Sequence, residues 1–96
     1  YMENSFYATK ITFCNEMYDL CEVLGIEWNE ARELWLQDPR INPMHTAVFK
    51  DKRGFGGKCL PKDTSALNYI AKQHGLHSLV LDGVLKANNN FLDKND

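Results

Sequence analysis

Apolar residues between Phe6 and Leu24 recur at spacings of three and four, and no other feature constrains the fold of this chain as strongly. Such spacings place side chains along one side of an α-helix. Two neighbouring stripes result: Tyr7, Ile11, Cys14, Tyr18 and Cys21 form the first, and Phe6, Phe13, Met17, Leu20 and Leu24 form the second. The sequence therefore predicts a long N-terminal helix with a wide buried face, ended by a left-handed residue at Gly25.

Three shorter segments with helical periodicity follow the first helix. The sequence predicts helices over residues 29–36, from Pro61 to about Gly75 with Asp63 in the first turn, and then up to residues 94–96. One side of the last two helices is predicted to hold Ala66, Leu67, Ile70, Ala71, Leu81, Val84, Leu85, Asn88 and Leu92. Neither strands nor repeats are indicated. We expect an all-α fold: a small helical domain with a long N-terminal helix, a long irregular loop that carries the active site, and two C-terminal helices.

The length and charge of the chain exclude several classes of protein. Ninety-six residues suit one domain, residues 1–96, and are too few for a nucleotide-binding domain beside a second domain. A net charge of −2 gives no electrostatic reason to expect nucleic acid as a partner. No apolar run approaches the roughly 18–20 residues that span a membrane, and the layout of a signal peptide is missing. We expect a cytoplasmic protein without a membrane partner.

Two further expectations follow from the size of the chain and the way it starts. A core this small needs a supplement, and association of two copies is the simplest one. The helical repeat also begins within a few residues of Tyr1, with no turn or capping sequence ahead of it. We therefore expect the chain to be part of a longer protein.

The cysteines and histidines argue against disulfides and metal chemistry. The three cysteines are an odd number without a CxxC pair, and Cys14 and Cys21 lie seven residues apart within the helical repeat. This pattern is typical of a reduced core. His45, His74 and His77 have no cysteine or carboxylate neighbours at metal-ligand spacing. We expect no metal site.

The irregular stretch before the third helix contains the residues best suited to chemistry. Residues 54–63 read GFGGKCLPKD, in which glycines that allow close approach of another molecule precede Cys59 at the mouth of a helix. The positive end of the helix, with Lys58 and Lys62, favours the thiolate, and Asp63 one turn later can accept a proton. The alternative is that the glycines form a hinge and that Cys59 is a small buried hydrophobe.

Residues along the whole chain carry a family resemblance. Besides GFGGKCLPKD, the residues concerned are Asn4-Ser5-Phe6, Ala8-Thr9-Lys10-Ile11, Asn15-Glu16, Leu20-Cys21-Glu22, Gly25 and Asp38-Pro39-Arg40-Ile41. From residue 1 to about residue 88, the chain resembles the central, dimer-forming helical domain of the UDP-glucose/GDP-mannose dehydrogenase family. The resemblance implies two flanking Rossmann-like domains in the parent protein, one binding NAD and one helping to bind the nucleotide sugar. Neither is contained in this chain.

The resemblance also implies a reaction and the residues that perform it. Family members oxidise the C6 alcohol of a nucleotide sugar to a carboxylate, a four-electron reaction that uses two NAD. Cys59 matches the nucleophile that forms a thiohemiacetal and then a thioester. Asp63 matches an aspartate that assists proton transfer or activates water, and Asn4 matches an asparagine that stabilises the oxyanion. A family lysine, four residues before that asparagine, falls before Tyr1.

Further positions match substrate and cofactor contacts of the family. Arg40 matches an arginine that reaches into the sugar-nucleotide site of the neighbouring subunit. The remaining substrate positions are Phe49, Lys50, Lys52 and Gly56, and Lys62 matches a position near the cofactor. Judged by residue type alone, Arg40 is a surface residue, and the cluster at residues 50–53 is either a solvated loop or a diphosphate contact.

Other single residues have plainer interpretations. Asn15 is expected to face solvent or to cap a helix, and Lys10 to lie on the polar face of the first helix. Trp28 and Trp35 are expected to be packing or dimer-contact residues.

The leading hypothesis is the central domain of a nucleotide-sugar 6-dehydrogenase that converts UDP-glucose to UDP-glucuronate. GDP-mannose and an N-acetylated UDP sugar remain alternative substrates. On its own the chain is expected to be inactive, since the NAD domain and the family lysine lie outside it. Two alternatives from other classes remain open: a module whose role is homodimer formation, and a truncated or viral relative that keeps the loop for binding only.

Overall fold

The computed structural model describes residues 1–95, and these form four helices and no strand. The helices are α1 (Met2–Leu24), α2 (Trp28–Trp35), α3 (Cys59–Gln73) and α4 (Leu79–Leu92). A long irregular segment joins α2 to α3 and contains only an isolated bridge between Phe49 and Lys52. The predicted all-α fold is confirmed. None of the described helices is both long and apolar enough to cross a membrane.

Most helix boundaries lie close to their predicted positions. Gly25 follows α1 with φ 73°, the left-handed conformation predicted for it. The second helix begins one residue earlier than predicted, because the carboxylate of Glu27 accepts a hydrogen bond from the Glu30 N–H and caps it. The fourth ends at Leu92. Of the predicted end at residues 94–96, Asp96 lies outside the described residues.

The predicted start of the third helix is wrong. The helix starts at Cys59, before Pro61, so Asp63 is its fifth residue and not part of its first turn. Proline is tolerated as the third residue because the first N–H groups of a helix have no intrahelical acceptor to lose. As a result, Cys59 and Asp63 lie on one helix, four residues apart.

The wide apolar face predicted to be buried on α1 is largely exposed within one copy of the chain. The buried residues of α1 are small or polar: Ser5, Ala8, Thr12, Cys14 and Asn15. Four residues of the second stripe, Phe6, Phe13, Leu20 and Leu24, are exposed within one copy of the chain. Small side chains allow α3 and α4 to pack closely on one side of α1, whereas the short α2 covers little of the other side.

The core is small and includes the long loop. Ala8 of α1, Phe55 of the loop and Val84 of α4 form its buried centre, and Ile11 and Leu60 pack against them. Several predicted core positions differ from this: Ile70 and Leu92 are exposed, while Asp63, Thr64 and Asn68 are buried. Asn88 is buried, in agreement with its predicted place on the apolar side of the last helix. Because Phe55 is part of the core, the loop before Cys59 is attached to the helices.

Candidate active site at the start of the third helix

Cys59 is the first residue of α3 and is exposed to solvent. The preceding residue, Lys58, occupies the N-cap position and makes no side-chain capping bond. The first turn of the helix therefore presents N–H groups without intrahelical partners next to the thiol. The interpretation of Cys59 as a buried hydrophobe is wrong, because the side chain lies at the surface.

Asp63 follows Cys59 by one helical turn, which puts both side chains on the same side of α3. The aspartate is only 6% exposed. Its Oδ2 atom accepts a hydrogen bond of 2.8 Å from Asn4, while its Oδ1 atom has no hydrogen-bond donor. The Lys62 ammonium is 3.6 Å from Oδ1, which is beyond hydrogen-bond distance. A buried carboxylate oxygen without a hydrogen-bond donor is costly, because the loss of its hydration is not compensated.

Asn4 connects the first helix to this site. The amide nitrogen that bonds Asp63 belongs to a residue 59 positions earlier in the chain. An asparagine amide has two N–H groups, so one remains for another acceptor after Asp63 is bound. The structure thus brings Asn4, near the start of α1, to the beginning of α3, which contains Cys59 and Asp63.

Glycines leave open space in front of the thiol. Gly56 is exposed, and a Cβ atom added there would meet no atom within 4 Å. Gly57 has φ 80°, a conformation that side chains disfavour, and is equally open. Another molecule can therefore approach the backbone directly before Cys59.

Arg53 does not belong to the exposed basic cluster in which the sequence placed it. It is 6% exposed, and its guanidinium donates hydrogen bonds to Asn15 and to Asp19, the latter at 2.9 Å. Its Cζ atom lies 4.6 Å from the ring centre of Tyr18 and 5.3 Å from that of Phe91. For this residue both the solvated-loop and the diphosphate interpretations are wrong, because aromatic rings and buried acceptors enclose the guanidinium.

Asn15 is 1% exposed, so its predicted solvent-facing or capping position is also wrong. Its Oδ1 atom accepts hydrogen bonds from the Arg53 side chain at 2.7 Å and from the Gly54 N–H at 3.1 Å. Helical spacing places Asn15 in line with Ala8 and Thr12, and this signal could have revealed an inward position.

Sequence reasoning also missed the role of Asn88. Its Oδ1 atom accepts from the Phe55 N–H at 2.8 Å, and its Nδ2 atom donates to the Phe55 carbonyl at 2.9 Å. Asn95 makes the same pair of bonds with the backbone of Arg53, at 2.7 and 3.0 Å. The signal available in the sequence was the position of Asn88 among the apolar residues of α4.

Arg40 lies at the surface, with its side chain 87% exposed. Its guanidinium binds both carboxylate oxygens of Asp38, the shortest contact being 2.7 Å. Hydrogen bonds from Arg40 to the Asp38 side chain hold the pKa of that carboxyl below its ordinary value, and the pKa of Arg40 is raised in turn. Arg40 borders a groove lined by Phe6, Phe13 and Trp35.

The other predicted substrate residues form a separate turn. The Lys52 N–H donates to the Phe49 carbonyl at 3.2 Å, so Phe49, Lys50 and Lys52 lie together. All three are exposed, and they border an open depression that also includes Tyr18. Within residues 1–95, no hydrogen bond or ion pair joins this turn to Cys59, Asp63 or Asn4. The structure thus places the predicted residues in three groups: the thiol site, the turn and Arg40.

The three cysteines differ sharply in their surroundings. Cys14 is buried, Cys21 is half-buried and Cys59 is exposed, and all three are free thiols. Burial raises the pKa of Cys14, and the nearby charges of Lys10 and Arg32 oppose this only in part. No group of three or more metal-binding side chains occurs in the described part of the chain.

Comparison with known proteins adds to this geometry. Residues 1–90 match the sequence profile of the UDP-glucose/GDP-mannose dehydrogenase family, central domain. The chain is 43% identical over 88 residues to a UDP-glucose 6-dehydrogenase of Rickettsia bellii, which covers 92% of this chain and 20% of that protein. It is 40% identical over 90 residues to a UDP-glucose 6-dehydrogenase of Bacillus subtilis (94% and 20% covered). It is also 32% identical over 94 residues to the GDP-mannose 6-dehydrogenase of Pseudomonas aeruginosa (98% and 21% covered).

The chain spans about a fifth of the length of these relatives. The profile nevertheless covers almost all of it, and the motif that carries Cys59 and Asp63 lies within the matched residues. The chain therefore belongs to the UDP-glucose/GDP-mannose dehydrogenase family.

Proposed function

We propose that this chain is the central domain of a cytoplasmic UDP-glucose 6-dehydrogenase, which oxidises UDP-glucose to UDP-glucuronate with NAD as cofactor. One observation carries the proposal: the exposed thiol of Cys59 lies one helical turn before Asp63, whose Oδ1 atom is buried and has no donor. UDP-glucose is the preferred sugar because most of the named relatives are UDP-glucose 6-dehydrogenases. Three free thiols fit a reducing compartment.

The geometry suits covalent catalysis by the thiol. After the C6 alcohol has been oxidised to an aldehyde, the Cys59 sulfur adds to the aldehyde carbon and forms a thiohemiacetal. Oxidation of this adduct gives a thioester. Water then attacks the thioester carbonyl, the carbon–sulfur bond breaks, and the carboxylate leaves while the thiol is regenerated.

Asp63 and Asn4 support the steps at the sulfur. Asp63 lies one helical turn after Cys59 on the same side of α3, a position from which its carboxylate can accept a proton from the attacking water. Asn4 holds Oδ2 and so fixes the direction of Oδ1. The second N–H of the Asn4 amide is free to donate to the oxygen that becomes negative in each addition.

NAD, when bound, accepts a hydride from C6 in each of the two oxidations. The described residues contain no strand and therefore no strand–glycine turn–helix unit of the kind that binds dinucleotides. The described residues fit only a contact at the edge of the bound cofactor. The Lys62 side chain is exposed beside Asp63, where it can face an anionic group of NAD. We propose that the rest of the NAD site lies in a part of the parent protein outside residues 1–96.

We further propose that two copies of the chain associate through α1 and α2. A groove between these helices is lined almost entirely by apolar side chains: Phe13, Met17, Leu20, Cys21, Leu24, Ile26, Trp28, Ala31 and Trp35. Large exposed apolar patches on small proteins mark interfaces. Arg40 borders the continuation of this groove, so association brings its guanidinium near the partner copy, where it can bind an anionic sugar nucleotide.

The test uses the complete reading frame that encodes this chain. We expect the purified product to reduce two NAD for each UDP-glucuronate formed, and Cys59→Ala to lower turnover at least about a thousandfold. Cys21→Ser is the matched control and should retain turnover. Unchanged turnover in Cys59→Ala contradicts the assigned nucleophile, and no oxidation of any nucleotide sugar contradicts the function.

Parallel assays decide the sugar and the role of the chain alone. GDP-mannose and UDP-N-acetylglucosamine should be oxidised more slowly than UDP-glucose, and a reversal would change the assigned substrate. Residues 1–96 mixed with NAD and UDP-glucose should give no absorbance increase at the nicotinamide maximum. A clear increase would show that the chain carries its own cofactor site.

A further inference from the structure

The loop that leads to Cys59 consists of two unlike parts. In the first part, residues 53–55, the N–H groups of Arg53, Gly54 and Phe55 each donate to an asparagine side chain. In the second part, residues 56–58, all three residues are exposed. A segment in which every N–H group is hydrogen-bonded to a side chain therefore ends directly before the exposed glycines that lead to Cys59.

Three asparagines hold the first part, and they are called the asparagine clamp below: Asn15, Asn88 and Asn95. Asn88 and Asn95 each form two hydrogen bonds to one residue, pairing with both the N–H and the carbonyl of Phe55 and Arg53 respectively. A neighbouring β-strand would bond a backbone in this two-point manner. A carboxamide has a separate N–H donor and carbonyl acceptor, like a peptide group, so it can take the place of a neighbouring strand in an all-α protein.

Close packing leaves no free space between the asparagine clamp and the backbone at Gly54. Gly54 has φ 74°, and a Cβ atom added there would lie 2.5 Å from the Asn88 Oδ1 atom. Phe55 is buried in the core against Ala8 and Val84. The backbone at residues 53–55 is therefore fixed by hydrogen bonds from α1, from α4 and from Asn95 after α4, and by the lack of space for movement.

We propose that the asparagine clamp positions the catalytic loop, with Asn88 as its principal positioning residue. Asn88 fixes Phe55, and Phe55 fixes the point from which Gly56 and Gly57 lead to Cys59. The direction of the thiol and of the open glycine backbone is thus set from α4, a helix that contributes none of the proposed catalytic residues. This inference rests on the proposed role of Cys59 as the nucleophile, but its test needs neither sugar nor NAD.

The test combines amide hydrogen exchange with alkylation of Cys59 in the 96-residue chain. In Asn88→Leu, which has a similar volume but no polar atoms, the Phe55 N–H should exchange at least about a hundredfold faster than in the unaltered chain. The second-order rate of Cys59 alkylation by iodoacetamide should change at least about threefold. Asn89→Leu, at an exposed position of the same helix, is the matched control and should change neither quantity.

Two further measurements keep the result interpretable if Asn88→Leu does not fold. Asn88→Asp keeps the acceptor for the Phe55 N–H and loses the donor to the Phe55 carbonyl, so a smaller acceleration at Phe55 is expected. Asn95→Ala changes a residue outside every helix and should accelerate exchange at Arg53 alone. Cys14, which is buried, reports global unfolding through its own alkylation rate.

Two results would overturn the proposal. One is an equal rise in exchange for all amides together with alkylation of Cys14, which would make Asn88 a residue of general stability. The other is faster exchange at Phe55 with an unchanged Cys59 rate in a folded variant. Neither result depends on turnover, so a failure of the clamp and a failure of the proposed enzyme function can be told apart.

Discussion

The two sides of α1 differ in almost every respect. The side that faces α3 and α4 contains the small or polar residues Ser5, Ala8, Thr12 and Asn15, all buried. The opposite side contains large apolar residues, among them Phe13, which is 50% exposed. Small side chains let the helices approach until side-chain amides reach backbone and carboxylate partners, whereas large ones keep a groove open.

This difference separates two tasks on one helix. The polar side supplies Asn4 to Asp63 and Asn15 to the loop before Cys59, so it builds the candidate active site. The apolar side is left for another surface, and we propose that it is a second copy of the chain. Each of the following substitutions tests one side against the other.

The largest effect is expected on the apolar side. Phe13→Asp places a charge in the groove that a partner would have to bury without a counterion, so the dimer dissociation constant should rise about a thousandfold. Sedimentation velocity over a range of concentrations measures this. Leu76→Asp, at an exposed apolar position outside the groove, is the control and should leave the dimer intact. If the unaltered chain sediments as a monomer at micromolar concentration, the dimer proposal fails.

Next in size is the loss of the buried arginine on the polar side. Arg53→Ala removes the donor to Asp19 and one of the two donors to the Asn15 Oδ1 atom, and it should lower the free energy of unfolding by about 3 kcal/mol. Urea denaturation followed by circular dichroism gives this quantity. Arg40→Ala provides the comparison, because its exposed pair with Asp38 should contribute nothing measurable. Equal effects for the two arginines would contradict the assignment of Arg53 to the core.

A smaller effect is expected from the glycines of the loop. Gly54→Ala combines a positive φ with a Cβ contact of 2.5 Å to Asn88, and it should cost about 2 kcal/mol of stability. Gly56→Ala meets no neighbour, so its free energy of unfolding should stay within about 0.5 kcal/mol of the unaltered chain. Thermal unfolding of both variants checks the difference. A similar loss for both would mean that residues 56–58 are as fixed as residues 53–55.

The smallest effect concerns the acid titration of Asp38. Because Arg40 donates hydrogen bonds to it, the Asp38 carboxyl should titrate below its ordinary pKa of about 3.9. A folded-state pKa below the unfolded-state value favours folding above the unfolded-state pKa, and this effect is lost as the pH falls through the lower folded-state pKa. For an exposed pair the effect on the free energy of unfolding is too small to measure, so the titration of the carboxyl is the quantity followed. In Arg40→Ala, the carboxyl resonance of Asp38 should titrate at the ordinary value. An unchanged NMR titration in this variant would show that the pair does not persist in solution.

The sequence predicts local features of the fold well. The start of α1 near Tyr1 follows from the spacing of its apolar residues, and its end follows from Gly25. Both signals are local in the sequence. The side of α1 that is buried depends on the size of residues on α3 and α4, which spacing within α1 does not contain. For this reason spacing did not show that the second apolar stripe is exposed within one copy of the chain, and the predicted surface position of Asn15 is wrong.

The same limit applies to the site. Cys59 and Asp63 lie one turn apart and were found together from the motif. Asn4 and Asp63 are 59 positions apart, so only the family resemblance pointed to Asn4 as a site residue, and its hydrogen bond to Asp63 was not predicted. No local sequence pattern indicated the roles of Arg53 and Asn88, because their partners are distant in sequence: Asn15 on α1 for Arg53, and Phe55 in the loop for Asn88.

The separation of tasks along α1 can be tested in one experiment that uses the three native cysteines. Alkylation rates are measured for each cysteine by peptide mass, from nanomolar to high micromolar chain concentration. Cys59 should react fast at every concentration and Cys14 slowly at every concentration, while the rate of Cys21, which lines the groove, should fall as the dimer forms. In Phe13→Asp the rate of Cys21 should stay high. If Cys21 shows no dependence on concentration, or if Cys59 becomes protected together with it, the division between a site on one side and an interface on the other is contradicted.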